Sequence, residues 1–447
     1  VNSQRRLFTP SRVILMAVVL LPLLLSACSN RGANPHEVVY WNIFNDDVSG
    51  KAVQAVVDSF NKQNPDLHVK MVPVPPNISN SNVTTLITAV RGGTGPDVYF
   101  LDRFTVNQYA SIGLLEDLNP WVSKEKEKLA DQFQPFAWNE VLMQGHPYAL
   151  PLNADARALF YNKSVLRDAG IDPEILDPKN GPITIDELKA LATKINKVGP
   201  DGNYERLGMV PYIGEASHTT WGMIYGAKFF DDRSCKITPT EPAMLNAMNM
   251  VYDWVKELNP SKVATFVDSY VSNPSMTPAQ DPFMNGKLGF KIDGDWALAS
   301  IAKYKPNLDY GVTYLPVPDK SKAPATWSGG FSLVIPKNAK NPDGAYRFMR
   351  YFTGPEGQKI FAQGFGSMPT LKSLMNDKTL FSGKRAFFSE LLKYSHSRVP
   401  LPVSATLWDE LTSAQEKVQY NIGTPEEALQ SVYRRVQPQL EQYCPLK

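Results

Sequence analysis

Histidine and cysteine are scarce in this sequence. Its five histidines, His36, His68, His146, His218 and His396, fall into no HExxH or other paired spacing, which leaves metal catalysis without its usual ligand pattern. A Gly-x-Ser-x-Gly elbow and a phosphate-binding P-loop are also missing, so two common starting points for catalysis are absent. Only Cys235 and Cys444 lie in the body of the chain. In an exported protein they could join as one disulfide, and two unpaired thiols are the equal alternative. There is no internal repeat, no long low-complexity linker, and no long apolar run after residue 27.

The one long apolar run spans Val13 to Ala27 and is preceded by Arg5, Arg6 and Arg12. It falls short of the ~20 apolar residues that a membrane span needs. A basic start, an apolar middle and small residues before a cut site are the order of a secretory signal peptide. Its end, Leu25-Ser26-Ala27-Cys28, resembles the lipobox of bacterial lipoproteins. That resemblance implies removal of residues 1–27 and acylation of Cys28, with two or three acyl chains holding the protein to the membrane far more firmly than one. Residues 28–36, rich in Ser, Asn, Gly and Pro, read as a flexible tether, and the body is expected outside the cytoplasm. Without the leader the chain keeps 43 basic residues against 44 acidic ones. So nearly neutral a body suits nucleic acid poorly, because that affinity comes largely from cations paired to phosphates.

The rest of the chain is too long for one ordinary core and suggests two lobes. A β-type run, Glu37 to Phe44, passes through Asn45-Asp46-Asp47 into the helical spacing Val53, Val56, Val57, Phe60. The pattern recurs: a strand over His68 to Pro73, a helix over Val83 to Val90, a glycine-rich turn at 92–96, and a strand from Asp97 to Leu101. Alternating units of this kind predict a largely parallel sheet with helices on both faces. Further strands are expected at Leu288–Asp293, Tyr310–Leu315 and Phe331–Ile335, and helices at Ala243–Leu258 and Pro342–Phe352. Thr184 with Glu187, and Thr424 ahead of Pro425-Glu426-Glu427, mark helix starts.

An ordered set of short motifs carries a wider resemblance. Gly95-Pro96-Asp97-Val98-Tyr99-Phe100 is followed by Asp102-Arg103-Phe104 and by Tyr109 to Leu115. Pro151-Leu152-Asn153 comes next with Tyr161-Asn162-Lys163, then Phe283 to Lys287 with Ile292-Asp293-Gly294-Asp295-Trp296. Tyr310-Gly311-Val312, Leu315-Pro316 and Gly329-Gly330 before Ile335-Pro336-Lys337 complete it. Each motif alone is weak, but together they resemble the extracellular solute-binding proteins of carbohydrate ABC importers, of the maltose-binding type.

The resemblance implies an α/β, two-lobe periplasmic-binding-protein type II fold with discontinuous lobes, a hinge of crossing strands, and a ligand held between the lobes. Crossings are expected near Leu150–Ala154, Tyr314–Ser328 and Thr353–Gln358. That gives an N-lobe of 37–152 and 315–354, and a C-lobe of 153–314 and 355–447. The implied partners are a small carbohydrate, the permease and ATPase subunits of an importer, and the membrane through a lipid anchor. The protein is expected to be a monomer without cofactor or metal.

A sugar presents hydroxyls and weakly apolar C–H faces, so its site needs planar donors and acceptors together with aromatic platforms. Ligands of open α/β sheets bind beyond the carboxyl ends of strands, and Asp102 and Arg103 follow one such end. Asn45 and Asp46 occupy the equivalent loop after the first strand. Asp155 sits where the family has an acidic ligand contact, with Asn153 or Arg157 as alternatives. Trp296 and Trp408 match stacking positions of the family, and Trp221 and Trp327 complete the candidate platforms. Gly329 and Gly330, at a crossing, would let backbone amides approach a ligand. Trp41 and Phe44 are weaker candidates, because aromatics in a first strand are usually core.

Three other readings compete. A surface glycoside hydrolase would need two carboxyl groups about 5 to 9 Å apart, for which Asp293 and Asp295 share one strand face. A structural or adhesive lipoprotein would explain the anchor but not the motifs. A glycerol-phosphate diester is the alternative ligand, because some members of the family bind one.

Overall fold

The computed structural model of the chain describes residues 34–74, 83–272 and 276–446. Residues 1–27, expected to be a leader, and Cys28 lie outside the described residues. The strands that shape the molecule are β1 (Glu37–Asn42), β2 (His68–Pro73), β3 (Val98–Asp102), β4 (Leu150–Pro151), β5 (Arg157–Asn162), β6 (Phe290–Gly294), β7 (Tyr310–Thr313), β8 (Thr326–Ser328), β9 (Phe331–Val334) and β10 (Ser395–Ser397).

The N-lobe is built on a five-stranded sheet in the order β2-β1-β3-β9-β4. Connections through the helices Ser49–Gln63 and Thr84–Arg91 return the chain in the same direction, so β1 is parallel to both β2 and β3. In contrast β9 arrives from the other lobe and runs antiparallel to β3 and β4. In β1 the alternate residues Val38, Tyr40 and Asn42 are buried, as expected for a strand with one face on a core. The helix Pro342–Phe352 covers that face, with Phe348 centred 5.4 Å from Tyr40 and 5.2 Å from Phe60.

The C-lobe sheet corrects the expectation of a largely parallel architecture. Its order is β6-β5-β7, and both pairs are antiparallel. β6 and β7 still point the same way around the helix Ala297–Tyr304, but β5 has inserted between them in the opposite sense. Covered on both sides, β5 is buried at every position.

Two hydrophobic clusters mark the lobes, and long stretches of chain change cluster at three places, with Met368 and Ala405 as single residues packed with the opposite lobe. Leu152 belongs to the first and Ala154 to the second; Trp327 to the second and Leu333 to the first; Leu380 to the first and Phe388 to the second. These changes differ from the expected segments at two places. Leu315 packs with the C-lobe, whereas Phe361, Ala362, Leu371 and Leu374 pack with the N-lobe, because the helix Pro355–Phe365 lies against Ser49–Gln63. At the crossings, Asn153–Ala154 pairs antiparallel with Met368–Pro369, and β8 pairs parallel with β10.

Thr184 and Thr424 close full capping boxes with Glu187 and Glu427. Cys235 and Cys444 are joined by a disulfide that ties the hairpin at 230–237 to the end of the chain, 209 residues away. Among the described residues no helix is long and apolar enough to cross a membrane.

Candidate ligand-binding cleft

A cavity of about 660 Å³ lies between the lobes at the carboxyl ends of β1 and β3. The N-lobe contributes Phe44, Asp46, Asp102, Phe104 and Phe331 to its wall, and the C-lobe contributes Asp155, Arg157, Glu215, His218, Trp296, Tyr304, Trp327, Arg398 and Trp408. A groove of about 710 Å³ on the C-lobe surface is shallower and lined mainly by charged and amide side chains such as Asp186, Asn246 and Asp253. The interlobe cavity, unlike this groove, combines aromatic faces from both lobes with buried charge.

Two arginines organise the cavity. Arg398 follows β10 and gives a two-pronged ion pair to Asp102 at the end of β3, with N–O distances of 2.6 and 3.2 Å. This pair spans the lobes. The same guanidinium lies 3.8 Å from the centre of the Phe104 ring, 5.0 Å from Trp327 and 5.4 Å from Trp408. Arg157, at the start of β5, bonds Asp155, donates to Glu215 at 2.9 Å, and sits 3.3 Å from Trp327 and 5.1 Å from Trp296. Burial works against the Arg157 charge, but Asp155 and Glu215 outweigh it and raise its pKa. Burial raises Glu215 in turn, against the pull of Arg157.

His218 opens the helix His218–Tyr225, whose N-cap is Ser217. Its ring meets Trp408 edge-on at 4.9 Å and its nitrogens reach Thr219 and Thr412 at 3.1 and 3.3 Å. Burial, with Arg398 adding to it, pushes its pKa down to about 3, so the imidazole is neutral in ordinary conditions.

Trp296, Trp327, Trp408, Asp102, Asp155 and Gly330 all line the cavity. Trp296 folds over the end of β6, where a Cβ at Gly294 would fall 2.1 Å from the indole. Glycine there lets the ring lie close to the strand. Asp46 also lines the wall, but its carboxylate is engaged by the amides of Val48 and Ser49 at 2.7 and 2.8 Å.

Four expected contacts fall elsewhere. Trp221 is fully buried in the C-lobe core, in the inward-packed middle of its helix, and donates to the Pro211 carbonyl at 2.8 Å. Arg103 is 0% exposed and turned away from the cavity. It donates to Glu140 at 2.5 Å and to the carbonyls of Asn153 and Gly329 at 2.6 and 2.7 Å. Asn45 is exposed outside the wall and donates to the Val74 carbonyl at 2.9 Å. The Gly329 amide is consumed by Asp155 at 2.5 Å, while Gly330, at φ 130°, leaves no room for a Cβ beside the Asn153 carbonyl. The backbone there serves the crossing.

Neither acid of the hydrolase reading faces the cavity. Asp293 pairs with Lys291 at 2.7 Å, and Asp295 is 1% exposed, its pKa raised well above normal by burial. Among the described residues no group of three or more His, Cys, Asp or Glu could hold a metal. Sequence reasoning missed Arg398, Glu215, His218 and Phe104 as wall residues. The loop Gly214-Glu215-Ala216-Ser217-His218, polar and opening a helix, carried a signal for two of them; Arg398 carried none.

A two-lobe α/β molecule with its ligand-sized cavity at the crossing strands is built as a receptor for a small molecule. The profile of the bacterial extracellular solute-binding protein family matches residues 46–359, and the chain belongs to that family. A maltotriose-binding protein of Pyrococcus abyssi is 23% identical over 376 residues, covering 82% of this chain and 74% of the relative. The sn-glycerol-3-phosphate-binding periplasmic protein of Escherichia coli is 27% identical over 350 residues, covering 75% and 74%. The structure of CpMnBP1 with mannobiose bound superposes with a TM-score of 0.78 at 22% identity, covering 90% of this chain and 99% of that one.

Proposed function

We propose that this protein is the substrate-binding lipoprotein of an ABC importer, anchored through Cys28. It captures a di- or oligosaccharide between its lobes and delivers it to a membrane permease. The observation that carries this reading is the pairing of aromatic faces from both lobes with a carboxylate, Asp102, at the end of β3. Each ionised oxygen of Asp102 accepts from Arg398 and retains capacity for a sugar hydroxyl. The cavity volume falls inside the usual range for small-molecule sites of about 300–1,000 Å³. A ligand touching both lobes favours the closed arrangement by its differential affinity for it, which is what a permease could read.

The charge of the wall separates sugar from phosphodiester. Asp46, Asp102, Asp155 and Glu215 stand against Arg157 and Arg398, with no lysine in the lining. Both guanidiniums are already paired to carboxylates, so an anion would meet an acid excess. Titration calorimetry with maltotriose, mannobiose and a glycerol-phosphate diester tests the reading: binding of an oligosaccharide supports it, and binding of the diester alone overturns it. With the sugar that binds, Trp296→Ala should weaken affinity by about 2 kcal/mol, the scale of an aromatic hot spot, while the unfolding midpoint stays put. Unchanged affinity would remove Trp296 from the site.

A further inference from the structure

The chain enters its first strand at the end of the sheet opposite the cleft. There the Asn341 side chain donates to the carbonyls of Pro35 and Glu37, both at 3.0 Å, and caps the helix Pro342–Phe352. The next turn of that helix holds an aromatic surface. Asp343 accepts from the Trp121 indole at 2.7 Å, and the Tyr346 ring stacks on Trp121 at 5.8 Å and 19°. Beside them a concavity of about 580 Å³ is lined by Trp121, Lys124, Lys126, Gln132 and Arg350, among others.

The sequence Lys124-Glu125-Lys126-Glu127-Lys128 alternates in sign, and the structure turns one of its two acids inward while Glu127 stays exposed beside the three lysines. Glu125 turns inward and accepts from Tyr346 at 2.8 Å and from Arg350 at 2.7 Å. Glu127 accepts from Gln132 at 3.1 Å. Lys124, Lys126 and Lys128 are exposed and belong to no ion pair among the described residues. The result is a half-buried tryptophan bordered by unpaired lysines, the pairing of types that suits an anionic headgroup layer.

Chain length says what can reach this face. Six residues lie between Cys28 and Pro35, and at full extension the seven steps from one to the other span roughly 25 Å. We propose that the face carrying Trp121, Lys124, Lys126 and Lys128 rests on the anionic bilayer to which Cys28 is anchored, leaving the cleft turned outward. The choice of bilayer as occupant rests on the acylation of Cys28 put forward above. The contact is weak and electrostatic, since delivery requires the body to lift and tip. Receptor and resting posture thus use opposite ends of one sheet.

The test uses the body with Cys28→Ser, which removes the acyl anchor, and phosphatidylcholine vesicles with or without phosphatidylglycerol. The body should sediment with the phosphatidylglycerol vesicles, less so as salt rises. Reversal of Lys124, Lys126 and Lys128 to Glu should weaken that partitioning roughly tenfold or more without altering sugar affinity, and Trp121→Ala should weaken it further. Equal sedimentation with both vesicles, or no effect of the three reversals, overturns the proposal. Acylation is read separately from the mass of the N-terminal peptide, and sugar binding by calorimetry, so failure of either earlier reading is distinguishable from failure of this one.

Discussion

Two buried arginines meet at the end of β3 and do different work: Arg103 directly follows the strand, and Arg398 comes from the other lobe. Arg103 stays inside the N-lobe, where Glu140 neutralises it and the carbonyls of Asn153 and Gly329 take its remaining donors. It fastens the sheet to both crossing segments. Arg398 reaches from the C-lobe to Asp102, and its guanidinium faces the rings of Phe104 and Trp408 in the cavity wall. The first pair joins parts that never separate. The second joins the two lobes, which on the function proposed above part for a ligand to enter. A buried ion pair therefore serves architecture in one case and closure in the other, and what differs is whether the partners share a core and how far the acid reaches the cavity.

The largest effect that tests this contrast is the loss of Arg103. Arg103→Ala strands Glu140, whose pKa burial already raises against the pull of Arg103. Removing one partner of a buried pair costs about 3–5 kcal/mol, so urea unfolding should move by that amount. A loss below about 1 kcal/mol, the scale of a surface pair, would break the distinction.

Arg398→Gln should cost less than half as much global stability, because Asp102 is 13% exposed at the cavity and gains water once the lobes part. Its main effect should be on shape. Small-angle scattering of the ligand-free protein should give a larger radius of gyration than the parent, with Arg398→Lys in between, and sugar affinity should fall severalfold. A ligand-free parent already as open as Arg398→Gln would show that the pair does not hold the lobes.

The same contrast explains what could be read from the sequence. Local signals were legible: the capping boxes at Thr184 and Thr424, the helix Pro342–Phe352, and the strand ends that bring Asp102 and Trp296 to the cavity. Asp102 and Arg103 looked like one polar pair, yet the turn after β3 sends Asp102 to the cavity and Arg103 to the interior. Trp221 and Trp296 both resembled stacking platforms, and only packing separates a tryptophan in the buried middle of a helix from one folded over a strand end. The insertion of β5 between β6 and β7 was illegible because strand direction depends on partners more than a hundred residues away. Arg398 was illegible for a related reason: its partner lies 296 residues earlier.

The smallest effect concerns His218, which sits beside Arg398 at the same wall. Its folded-state pKa of about 3 lies below the ordinary 6.5, first from burial and then from the Arg398 charge. The unfolded chain therefore takes up a proton near the ordinary value while the native state refuses it. Stability linked to this group is complete above that value and declines as pH falls from there toward the folded pKa. Melting temperatures taken from about pH 7 to about pH 4 should fall more steeply in the parent than in His218→Gln, which cannot protonate. Equal slopes would mean that the ring already accepts a proton in the folded state. The Arg398→Gln background sharpens the comparison. If Arg398 rests against the wall as the structure has it, removing its charge should make protonation of His218 easier and the slope shallower. If the lobes of that variant also stand open, water at the ring should flatten it further, so closure can be followed from a titration as well as from a radius.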